Sequence, residues 1–87
     1  MKILIVDDEA LARDRLRELV IELYPETTTI EASNSNSALD KISEHSPEII
    51  LLDISMPGMN GLELANHLLK LKLPPAIVFT TAHQAHA

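Results

Sequence analysis

Three short apolar runs constrain this chain more than any other feature: Ile3-Leu4-Ile5-Val6, Ile49-Ile50-Leu51-Leu52 and Ala76-Ile77-Val78-Phe79. None of them alternates with polar residues. A strand wetted on one face alternates, whereas a strand covered on both faces does not, and strands of the second kind belong to parallel sheets. A fourth segment, Thr28-Thr29-Ile30-Glu31-Ala32, is β-prone but more polar, which assigns it to a sheet edge.

Helical patterns fill the intervals. Ala12, Leu16, Leu19, Val20 and Leu23 share one face of a helix that Pro25 closes. Ala38, Leu39 and Ile42 mark a shorter helix, opened near Ser35 to Ser37 and ended before Pro47. Leu64, Leu68 and Leu71, with Ala65 and Leu69 beside them, mark a third, which Asn60 is placed to cap and Pro74-Pro75 follows. The alternation β-α-β-α-β-α-β implies an α/β, doubly wound parallel sheet with helices on both faces. Right-handed crossovers around an interior first strand predict the strand order 2-1-3-4. The first and third strands then flank the point where the winding reverses, and ligands bind there at the carboxyl ends of the strands.

Asp7 and Asp8 end the first strand and Asp53 ends the third. The predicted topology therefore directs three carboxylates into one crevice, where they would repel one another. An all-oxygen donor set without thiolate, and with no histidine near it in sequence, favours a hard cation, Mg²⁺ over Zn²⁺. An aspartate beside Mg²⁺ can also act as a nucleophile toward phosphorus and form an acyl phosphate. Thr80 and Thr81 close the fourth strand and offer hydroxyl donors to a phosphate, while Pro57 and Gly61 shape the loop after Asp53. Each acid has a plainer reading: Asp7, Asp8 and Glu9 as caps of the first helix, Asp53 as a turn residue. It is their meeting at one crevice that favours a shared site. His83 and His86, spaced i, i+3 at the end of the chain, and His45 and His67 on helices are read as surface residues.

Composition excludes several classes of function. Thirteen acidic against seven basic residues give a net charge of -6, which argues against a nucleic-acid surface within these residues. Absence of cysteine rules out disulfides and thiolate metal sites, and fits a reducing, cytoplasmic compartment. The run Ile3 to Val6 is stopped by Asp7-Asp8-Glu9, too soon for a signal sequence or membrane span.

The motifs "ILIVDDE", "LLDISMPGMNGLEL" and "IVFTTA" resemble, in order and spacing, the receiver domain of two-component response regulators. The resemblance implies a flavodoxin-like fold over residues 1–87, with Asp53 accepting a phosphoryl group from a sensor histidine kinase. It implies Mg²⁺ held by Asp8, by Asp7 partly through water, by Asp53 and by the backbone carbonyl of Ser55. Thr81, followed by Ala82, would be the switch residue that contacts the phosphate. The longer stretches "DDEALARDRLRELV" and "PPAIVFTTAHQAHA" are similar to regulators of the LytTR class, including the alginate-regulator type, in which a DNA-binding output domain follows.

Receivers also carry a lysine before a proline at the end of a fifth strand, together with an aromatic switch residue on that strand; Lys70 and Lys72, on or after the third helix, match neither position. The expectation is therefore a receiver lacking its fifth βα unit, with the fourth strand as an apolar edge that would pair as a homodimer or exchange elements with a second copy. An aspartyl-phosphate phosphatase and a phosphorylation-independent interaction module are the alternatives. Such phosphatases place nucleophile and acid two residues apart on the first strand, unlike the adjacent Asp7 and Asp8.

Overall fold

A computed structural model describes residues 1–80. Seven elements follow one another: β1 Lys2–Val6, α1 Ala10–Leu23, β2 Thr28–Ala32, α2 Ser35–His45, β3 Ile49–Leu52, α3 Gly61–Leu68 and β4 Ala76–Phe79. Every strand pairing is parallel and the order is β2-β1-β3-β4, as the alternation and handedness predict. The polar strand β2 lies at an edge, also as expected.

The two faces of β1 explain its unbroken apolar run. Side chains alternate across a strand, so Leu4 and Val6 enter one core, with Ala38 of α2 and Leu64, Ala65 and Leu68 of α3. Ile3 and Ile5 enter the other, with Val20 of α1, against which Leu16, Ile49 and Leu51 also pack. Strand ends are level: Val6 is opposite both Ala32 and Leu52. The ladder continues one residue further, with Asp7 N–H donating to the Ala32 carbonyl (3.2 Å) and Asp53 N–H to the Val6 carbonyl (3.0 Å).

Some expected core positions are not buried. Leu19 and Leu23 are 53% and 67% exposed. Val20, next to Leu19, is buried with Ile3 and Ile5, so the covered stripe of α1 is narrower than its apolar periodicity, and Leu23 borders a shallow depression with Met1 and Tyr24. Leu71 falls beyond the end of α3, in a tightened turn in which its N–H reaches the Leu68 carbonyl. Strand β4 is also less covered than its composition suggests, Val78 and Phe79 being 49% and 41% exposed.

Helix starts are set by local chemistry. Asn34, not a serine, caps α2 by accepting the Ser37 N–H at 2.8 Å. Asn60 and Glu63 form a reciprocal capping box at α3, each side chain accepting the other's backbone N–H at 3.0 Å.

Candidate functional site

The level ends of β1 and β3 bring their next residues side by side. Asp7 and Asp53 are buried, 6% and 1% exposed, while Asp8 is exposed. One carboxylate oxygen from each of Asp7, Asp8 and Asp53 lies within 4.8 Å of the others. These are the three acids that the strand order directs to the crevice. The capping alternative for the first of them does not describe what is seen, because α1 is capped at Glu9 without a side-chain hydrogen bond. Asp7 Oδ1 instead accepts the Glu9 N–H at 2.9 Å, a local turn ahead of the helix.

The Asp53 carboxylate is held on one side only. Its Oδ1 accepts the Ser55 N–H at 3.2 Å, while Oδ2 is buried and has no hydrogen-bond partner among the described residues. A buried oxygen left in that state is costly. Charges about 4.8 Å apart repel by about 3 kcal/mol per pair at an effective dielectric of about 20. A divalent cation would relieve both penalties at once. The donors are all carboxylate oxygens, so the site fits Mg²⁺, which binds one or two carboxylates and keeps several waters.

The loop between Asp53 and α3 is fastened at several points. Gly61 N–H donates to the Ile54 carbonyl (3.0 Å), and Ser35 Oγ, buried at the start of α2, donates to the Met59 carbonyl at 2.6 Å. Gly58 has φ +76°, a left-handed conformation suited to glycine. Gly61 admits no side chain: a Cβ there would collide with the Asp53 carbonyl oxygen.

The remaining expected positions divide clearly. Ser55 is exposed beside the site with its N–H on Asp53. Thr80 follows β4, its N–H on the Leu52 carbonyl at 2.9 Å and its hydroxyl buried without a partner among the described residues. Thr81, Ala82, His83 and His86 lie outside the described residues. His45 Nε2 is 3.8 Å from Glu44 and His67 is exposed on α3, both away from the acidic group. No helix among the described residues is long and apolar enough to cross a membrane.

Sequence reasoning missed Arg13, Glu31 and the fastening role of Ser35. Arg13 Nη1 donates to the Asp7 carbonyl at 2.7 Å and its Nε to Glu31 Oε1 at 3.1 Å. A charged residue on a helix reads as solvated surface, and no sequence signal distinguishes one that folds back over a strand end.

Residues 3–87 match a family model described as the response regulator receiver domain. The whole chain is 44% identical over 87 residues to the sensory transduction protein LytT of Bacillus subtilis. It is 48% identical over 88 residues to the positive alginate biosynthesis regulatory protein of Pseudomonas aeruginosa. The chain spans 36% of the length of each of these relatives. Among solved structures, a two component transcriptional regulator AraC from Clostridium phytofermentans superposes with a TM-score of 0.81 at 34% identity, covering 91% of this chain and 62% of that one.

Proposed function

Since the chain belongs to the response regulator receiver domain family, a family of signalling domains, we propose that Asp53 is its phosphoryl acceptor. The donor is the phosphohistidine of a sensor histidine kinase. One observation carries the reading: the buried Asp53 carboxylate, its Oδ2 without a partner among the described residues, shares a crevice with Asp7 and Asp8.

The chain's own residues prepare the acceptor. The Ser55 N–H fixes Oδ1 and so the plane of the carboxylate, and no donor among the described residues competes for Oδ2. Asp53 forms the new oxygen–phosphorus bond with a carboxylate lone pair as the nitrogen–phosphorus bond of the donor breaks. The electron pair of that bond stays on the departing imidazole. Asp7, Asp8, Asp53 and the Ser55 carbonyl would hold Mg²⁺, which would supply charge neutralisation between the phosphoryl oxygens and the carboxylates. Thr81, the next residue in the sequence after Thr80, would donate its hydroxyl to the phosphoryl group, and the segment that follows would shift between two arrangements.

The readout is an output domain of a cytoplasmic, DNA-binding transcription regulator. In support, one relative, 41% identical over 87 residues, is a transcriptional regulatory protein, LytR of Staphylococcus aureus. Strand β4, an edge of the sheet among the described residues with Val78 and Phe79 half exposed, offers an apolar surface for pairing or exchanging elements with a second copy.

Stoichiometry tests the reading. Incubated with a small acyl phosphodonor and Mg²⁺, the protein should gain a single phosphoryl group, removed by hydroxylamine. Repeated turnover of a phosphate monoester would instead mark a phosphatase.

A further inference from the structure

We infer that Arg13 is a positioning residue for the divalent cation: it holds the Asp7–Asp8 peptide at the orientation in which Asp8 reaches the ion. The inference rests on the reading of Asp7, Asp8 and Asp53 as a cation site.

Arg13 lies on α1, yet its side chain is only 18% exposed because it folds back over the end of β1. There Nη1 donates to the Asp7 carbonyl at 2.7 Å, a charge-assisted bond at the short end of its range. The guanidinium is in turn oriented by Glu31 of β2, which accepts from Nε at 3.1 Å and has its other oxygen 3.4 Å from Arg17 Nε. On the opposite side of Asp7, its N–H donates to the Ala32 carbonyl. Both peptide groups of Asp7 are thus held, one by the strand ladder and one by Arg13.

The consequence falls on Asp8. A peptide unit is planar, so fixing the Asp7 carbonyl also fixes the Asp8 nitrogen and α-carbon. Asp8 is exposed, and no hydrogen bond to its side chain is found among the described residues. Its direction of departure from the backbone therefore decides whether its carboxylate joins the other two. Releasing the Asp7 carbonyl frees that direction.

A role through charge alone predicts the opposite sign. Arg13 is a cation near three carboxylates, so removing its charge would deepen the negative potential and tighten Mg²⁺ binding. Removing a positioning bond loosens it. Mg²⁺ affinity, measured by calorimetry and by amide chemical shifts of Asp8 and Asp53, separates the two.

For Arg13→Gln we expect about tenfold weaker Mg²⁺ binding, the lower end of the effect of losing a partner that orients a metal ligand. Arg17→Gln removes an equal charge from the same Glu31 without touching Asp7, and should leave affinity unchanged. Arg13→Lys keeps the charge but cannot bridge the Asp7 carbonyl and Glu31 as the guanidinium does, and should bind with intermediate affinity. The amide spectrum of β1 and β3 reports that each variant is folded. Equal or tighter binding by folded Arg13→Gln would overturn the inference while leaving the site reading intact. A wild-type protein that binds no Mg²⁺ would overturn the site reading and the inference with it.

Discussion

Gly61 rests its bare α-carbon against the peptide of Asp53. A Cβ at Gly61 would lie 2.8 Å from Ile54 Cα and 2.9 Å from the Asp53 carbonyl carbon, besides colliding with the carbonyl oxygen. The first residue of α3 is thereby locked to the residue that carries the proposed chemistry. Alanine favours a helix by about 1 kcal/mol over glycine. Here the clash is with backbone, which no rotamer change relieves, and overpacking of that kind costs about 1–3 kcal/mol. Gly61→Ala should therefore lower the urea midpoint. An unchanged or higher midpoint would mean that the loop and α3 separate easily.

Mg²⁺ should stabilise the fold. A ligand bound only by the native state at about ten times its dissociation constant adds about 1.4 kcal/mol. The thermal midpoint should rise with millimolar Mg²⁺, and Asp8→Ala should remove that response. Without metal the same substitution relieves repulsion among three carboxylates, so the metal-free variant should melt higher than the metal-free parent. Identical Mg²⁺ responses in the two proteins would contradict the shared site.

Ser35→Ala should loosen one loop rather than the whole fold. The substitution deletes the 2.6 Å bond to Met59 and leaves that carbonyl without its donor, a loss of about 1–3 kcal/mol where the group stays buried. Amide exchange should accelerate across residues 54–60, with β1 and β3 little changed. Uniform acceleration across the sheet would show that Ser35 supports the core and not the loop.

Glu48 should contribute to the acid limb of stability. The Lys2 N–H bonded to Glu48 Oε1 at 2.8 Å holds this carboxyl below its ordinary value of 4.5. A group whose folded value is depressed stabilises the protein above its unfolded value, and that stabilisation is lost as pH falls through the folded value. Glu48→Gln should make stability less steep in pH below 4.5, with a small amplitude because the group is fully exposed. A denaturant series from neutral to acid pH measures it, and an unaltered slope would mean that the bond is not kept in solution.

What the sequence discloses is mainly what apolar patterning controls. Ile49–Leu52 is a strand at the residues its side chains suggest, since burial between layers leaves few other conformations, and Ala76–Phe79 is a strand where its branched apolar run suggests although its side chains are half exposed. The nearness of Asp7, Asp8 and Asp53 follows from strand order, because parallel neighbours with level ends must place their next residues together. Leu19 and Leu23 have the periodicity of core residues but are exposed, and periodicity carries no information about how wide a stripe of the helix the neighbouring layer covers. The Arg13–Glu31 pair joins residues that no helical or strand repeat relates, so only the folded β1–β2 register makes it visible. The same holds for Ser35 and Met59, which meet because α2 starts beside the site loop.

Mapping the modified residue tests the central claim most directly. After incubation with a small acyl phosphodonor and Mg²⁺, reduction with borohydride converts an aspartyl phosphate to homoserine, and tandem mass spectrometry locates it. The account predicts homoserine at Asp53 alone, and no modification in Asp53→Asn, whose amide is a poor nucleophile. Homoserine at Asp7 or Asp8, or a phosphoryl group on a serine that survives hydroxylamine and persists in Asp53→Asn, would contradict it.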